Sequence, residues 1–159
     1  MEPFLLKLQE SDFGVWVSSA PTLLAYPTIL MLHTVGLALV VGPLAVLNLR
    51  LLGVGQRMPI SALKNVFTIM SWGFALNAAT GIALFISEAD DKGYQVDFYV
   101  KLTLIALALV VASRMNRMLF STPDTADRPL PAMAKPLAVV SLMLWAGAIT
   151  AGRLMAYLK

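Results

Sequence analysis

With His33 neutral, residues 29–47 and 65–87 carry no formal charge, and a chain holding two such runs has few ways to fold. At a rise of ~1.5 Å per residue each run reaches about 30 Å, the thickness of a bilayer's hydrocarbon core. Backbone groups at that depth find no water, so the runs must satisfy them internally as helices. Two more apolar stretches follow, and composition agrees. Apolar residues make up 58% and charged residues 13% of the 159, against roughly 45–50% and about 25% in soluble domains. The expected fold is all-α: an integral-membrane, antiparallel bundle of four transmembrane helices forming one domain over 1–159. Its spans are placed at about 27–52, 62–86, 98–120 and 136–158.

Local signals refine this layout. Glu2, Lys7, Glu10 and Asp12 interrupt the first residues, so no cleavable signal peptide is expected. Phe4, Leu5, Leu8, Phe13, Val15 and Trp16 alternate with those charges. About residues 3–18 therefore read as one short amphipathic helix lying in the interface. Pro43 removes a backbone hydrogen bond inside the first span and predicts a kink near Leu39. Gly53, Gly55 and Pro59 predict a tight turn, and the proline-rich segment 121–136 predicts the longest loop. The third span has the shortest uncharged run: Lys101 and Arg114 bracket only residues 102–113, or ~18 Å. It crosses if both long side chains snorkel outward.

Charge near the span ends sets the orientation. The loops 50–64 and 114–135 carry seven basic residues against two acidic ones, whereas the opposite side carries five against seven. The expectation is that the basic loops face the cytoplasm and both termini face outward. The dispersed basic residues form no patch for nucleic acid. No cysteine is present, so thiolate metal sites and cysteine nucleophiles are excluded within the chain.

Ionisable residues inside spans are costly and usually face the bundle interior, pair, or snorkel. His33 lies about six residues into the first span and Arg153 about five into the fourth, counting from their outer ends. These depths are ~9 Å and ~7.5 Å. Asn77 and Thr150 fall about a turn deeper, Thr150 sharing a helix face with Arg153 and Tyr157. His33, Asn77, Thr150 and Arg153 are the candidate ligand-binding residues of an outward-opening pocket, with Glu88 and Lys101 at its rim. Two readings of His33 stay open: a bond to a neighbouring helix, or ligand and proton work. Arg153 reads as a ligand group, a partner for Glu88 or an interfacial anchor, and Lys101 as an anchor. Gly36, Gly73, Gly81, Gly147 and Gly152 permit close helix approach or leave ligand space. The nine methionines form no Met-x-x-Met cluster on His33's outer face and read as packing.

The run 32–53 (LHTVGLALVVGPLAVLNLRLLG), Trp72 with Gly81, the step Phe98–Lys101 and the ending 144–157 (LWAGAITAGRLMAY) resemble an uncharacterised bacterial family of four-span integral membrane proteins. The resemblance covers nearly the whole chain and implies the bacterial inner membrane, with both termini on the periplasmic side. It implies recurring polar positions at His33, Arg50, Lys101 and Arg153. Asn48 stands where members often have Asp, which removes an expected partner for Arg50. The family is distantly similar in layout to membrane copper-resistance and b-type haem proteins. A b haem ordinarily takes two axial histidines, and this chain holds one. A haem site would need a methionine, an open sixth position, or two His33 from a homodimer.

Four function classes follow. The best supported is a small binding or accessory protein, taking an anion, a quinone-like headgroup or a lipid, or joining a homo-oligomer or larger membrane complex. A haem redox protein and a proton-coupled transporter come next. An enzyme is least supported, because no carboxylate lies deep in a span and no nucleophile shares a turn with a base.

Overall fold

A computed structural model describes residues 2–121 and 130–155, and every regular element among them is helical. In chain order these are α1 (Glu2–Gln9), α2 (Asp12–Ser19), α3 (Tyr26–Leu52), a 3₁₀ turn (Ile60–Leu63), α4 (Val66–Ser87), α5 (Ala89–Lys92), α6 (Val96–Phe120) and α7 (Ala134–Leu154). Four are long and apolar enough to cross a membrane: α3, α4 with the turn preceding it, α6 and α7. The chain is an all-α antiparallel four-helix bundle of membrane-spanning proportions. Half of the expected long loop (122–129), and the last expected residues of the fourth span, lie outside the described residues.

Each boundary has a local cause. Pro27 opens α3, where its missing N–H costs nothing. The helix then continues through Pro43 to Gly53, whose φ of 108° supplies the left-handed stop. Arg50 closes the following turn by donating to the Met58 and Gln56 carbonyls at 2.7 and 2.9 Å. Those carbonyls, rather than the residue at position 48, are its partners. The expected second span starts late, because residues 60–63 form the 3₁₀ turn. α7 starts two residues early, since Pro136 is tolerated in a first turn.

The N-terminal segment differs from the expected single interfacial helix. It breaks at Glu10–Ser11 into α1 and α2. Ser11 Oγ accepts from the Gly14 N–H at 3.2 Å and donates to the Leu8 carbonyl at 2.7 Å, so one hydroxyl ends α1 and starts α2. The pair then docks: α2 packs on α4, and α1 packs on α5. Val17 is fully buried, and Gln9 Oε1 accepts from the Asp90 N–H at 2.8 Å.

α3 packs along α4, α6 along α7, and α3 meets α7 between the pairs. Between helices in lipid there is no solvent-driven attraction, so close backbone approach carries the packing. Gly36 and Gly73 supply it. A Cβ at Gly36 would stand 2.8 Å from the Asn77 backbone nitrogen, and one at Gly73 only 2.7 Å from Leu39 Cβ. The filled core occupies the half nearest the α3–α4 turn, the lower half. There Val40, Leu44 and Leu47 of α3 meet Phe67 and Met70 of α4, Ala112 and Met115 of α6, and Ala138 and Trp145 of α7. Asn48 Nδ2 donates to Ser141 Oγ at 3.0 Å inside the α3–α7 contact, both residues fully buried. The outside is apolar: Trp72 is 74% exposed and Met143 70%. Such a surface suits lipid and would be a liability in water.

Candidate functional site

The upper half of the bundle is hollow. A cavity of about 370 Å³ lies between α3, α4, α6 and α7, within the usual size range of small-molecule sites. Leu30, His33, Thr34, Leu37 and Val40 line it from α3, recurring at helical spacing on one face. α4 contributes Phe74 and Asn77, and α6 contributes Lys101 and Ile105. α7 contributes Trp145, Ala148, Ile149, Gly152 and Arg153. Val40 and Trp145 belong to the core below as well, so they form the floor. The Trp145 indole nitrogen is sealed and has no acceptor among the described residues. The ring thus serves the cavity as an apolar surface.

His33 and Asn77 clasp α3 to α4 reciprocally. His33 Nδ1 lies 3.0 Å from the Asn77 backbone carbonyl, and Asn77 Nδ2 donates to the His33 backbone carbonyl at 2.8 Å. A carbonyl only accepts, so Nδ1 carries the proton. Thr80 Oγ1, which donates to the Leu76 carbonyl at 2.7 Å, stands 3.1 Å from the same Nδ1. Gly81 makes room for the ring, since a Cβ there would lie 3.1 Å from His33 Cε1. In the neutral ring Nε2 keeps its lone pair, and it has no hydrogen-bond partner among the described residues. Asn77→Leu removes one arm of the clasp. The expected loss is about 0.6–2 kcal/mol of stability, read as a lower unfolding midpoint in detergent with the helical content unchanged.

Lys101 does not snorkel away. Its side chain runs against α7, where a Cβ on Gly152 would stand 3.5 Å from Cδ and Cε and 3.6 Å from Nζ. These are ordinary contact distances, so the Lys101 stem lies alongside α7 at this position. Arg153 adds a second cation to the same lining and is itself exposed. Among the described residues no acid lines the cavity, and neither cation has an ion-pair partner.

Of the residues singled out from sequence, His33, Asn77 and Arg153 meet in the cavity, and Lys101 moves from rim to wall. Thr150 is not among the lining residues. It is exposed, and its hydroxyl donates to the Ala146 carbonyl of its own helix at 2.9 Å. Glu88 also stands apart, 3.7 Å from Lys92 Nζ rather than beside Arg153. Lys92 reaches across to the Met155 carbonyl at 3.3 Å, holding the end of α7. Tyr157 lies outside the described residues. Sequence reasoning missed Phe74, Ile105, Ala148 and Trp145 as cavity walls. The four-residue step from Lys101 to Ile105 and the three-residue step from Trp145 to Ala148 were the available signals.

Among the described residues no group of three His, Cys, Asp or Glu is placed to hold a metal ion. What the cavity offers is two cations and the Asn77 amide as donors, with His33 Nε2 as an acceptor, above apolar walls. Fold and site together define a membrane-type four-helix bundle with a basic, half-depth cavity. Compared with models of known families, with curated proteins and with solved structures, the chain matches none.

Proposed function

We propose that the chain is a small binding or accessory protein of the bacterial inner membrane that holds a small-molecule or lipid ligand in the upper cavity. In this reading the upper end faces outward, as the charge bias of the loops predicts, and the resemblance to the four-span bacterial family belongs to the same proposal. The observation that carries it is the division of the bundle: a donor-lined cavity above, a filled core below. That division favours holding over transport. The polar pair nearest the lower end, Asn48 and Ser141, is fully buried and bonded to itself rather than strung along a path.

Native mass spectrometry of the detergent-purified protein tests this reading. Wild type is expected to carry a bound non-protein mass. Ala148→Phe, which fills a buried lining position, is expected to lose it, while Thr150→Val keeps it. Retention of the mass by Ala148→Phe sinks the cavity as its site. A haem absorbance in the purified wild type would replace this reading with the redox one.

A further inference from the structure

The cavity sorts its chemistry by depth. His33, Asn77, Lys101 and Arg153 line the upper part. Below them Leu37, Val40, Phe74, Ile105, Trp145 and Ala148 form an apolar shaft. Along α7 the eight residues from Arg153 down to Trp145 cover ~12 Å. Over that depth, a volume of about 370 Å³ lies within the size range of small-molecule sites. The volume therefore matches a head and a medium-length chain.

The mouth is lateral. The exposed lining residues are Leu30 and Thr34 on α3 and Ile149 and Arg153 on α7, which puts the opening between those two helices. On the opposite side Phe85 of α4 and Phe98 of α6 stack with ring centroids 5.0 Å apart. An opening lipped by Leu30 and Ile149 and facing the bilayer admits molecules dissolved in the membrane. A small hydrophilic anion would match the two cations and leave the shaft unfilled. A neutral apolar molecule would fill the shaft and leave the half-buried Lys101 without a counter-charge. One ligand class meets both demands.

Resting on the cavity reading, we propose that the ligand is a single-chain amphiphile with an anionic head, a carboxylate or a phosphate ester. Its head lies between Lys101 and Arg153, and its chain runs down the shaft towards Trp145. Arg153 supplies a planar donor fork and Lys101 a compact charge, the pairing that binds such oxyanions with short, charge-assisted hydrogen bonds. Lys101 reaches the head along α7 at Gly152, where even a Cβ would stand at ordinary contact distance from its stem.

Trp145 provides the readout. With Trp16→Phe and Trp72→Phe in place it is the only indole, and it is 4% exposed. The protein is reconstituted in nanodiscs of phosphatidylcholine and titrated with undecanoate brominated at its terminal carbon, which quenches an indole on contact. Saturable quenching of Trp145 is expected. Lys101→Gln with Arg153→Gln should weaken it at least about tenfold, as losing charged hydrogen bonds does. The charge-keeping pair Lys101→Arg with Arg153→Lys should retain most of the binding, which separates lost charge from lost fold. Undecanol carrying the same bromine should bind wild type at least about tenfold more weakly. Millimolar phosphate or acetate should not displace the probe. Displacement by those free anions as effectively as by undecanoate overturns the amphiphile in favour of a bare anion. Equal quenching by acid and alcohol, unchanged in the Gln pair, overturns the anionic head while the cavity reading stands. Absence of saturable quenching by both probes, with Ala148→Phe indistinguishable from wild type, removes the cavity reading along with the proposal.

Discussion

Replacing Gly36 with leucine is expected to destabilise the bundle by about 2–3 kcal/mol, the upper range for overfilling a packed contact. The reason is what the new side chain meets. Its Cβ would stand 2.8 Å from the Asn77 nitrogen and 3.0 Å from its Cα, and backbone cannot rotate out of the way as a flexible side chain can. α3 and α4 must separate, and the His33–Asn77 clasp one turn higher separates with them. Gly42→Leu is the matched control on the same helix. Beyond its chain neighbours nothing lies within 4 Å of a Cβ at that position. The gain from a better helix former is therefore set only against crowding by Pro43, and any loss should stay well below that of Gly36→Leu. Unfolding midpoints in detergent check both. Gly73→Leu should resemble Gly36→Leu, and the double variant should fall short of the sum, because both changes force apart one contact. If Gly36→Leu and Gly42→Leu melt alike, the close α3–α4 approach is not what holds the pair together.

The second prediction is all-or-none. The natural chain has no cysteine, so single cysteines can be read without background. Gln56 lies exposed in the α3–α4 turn and Asp91 lies exposed at the other end, on α5. With the basic loops cytoplasmic, Asp91→Cys should react with a membrane-impermeant maleimide on intact spheroplasts. Gln56→Cys should react only after the membrane is opened. The reverse pattern inverts the protein and turns the cavity towards the cytoplasm. The ligand would then have to come from the inner leaflet, although the geometry of the site would be unchanged.

The membrane-spanning helices were legible because long uncharged runs leave a chain little choice, and their ends fell where Gly53, Pro27 and Pro136 act locally. The break at Ser11 was not legible. The alternation of apolar and charged residues over 3–18 fits one helix as well as two, and the choice turns on a hydroxyl that caps in both directions. Depth was likewise easier to read than facing. Counting residues brought His33 and Arg153 to one level and placed Asn77 near them, as the cavity lining has it. It could not show which way α7 is turned about its axis, since Ala146, Ile149 and Thr150 are all small or apolar enough for any face. Thr150 consequently looked like a pocket donor, although its hydroxyl is satisfied within its own helix. Lys101 looked like an anchor because long side chains usually snorkel. Its stem instead lies along α7 at Gly152, fifty-one positions along the chain, a contact that no local pattern announces.

The buried Asn48–Ser141 bond has a mechanical consequence. α3 and α4 form one tight leaf through their glycines and the His33 clasp, and α6 and α7 form the other. Along the seam between α3 and α7 the leaves are riveted at the lower end by that bond, deep in the filled core. At the upper end the seam gapes between Leu30 and Ile149. Any widening of the cavity must therefore happen as a book opens from the top edge, with its spine near Asn48. In the proposed binding role, breathing of this kind would admit a guest from the side without cutting a path through to the far face.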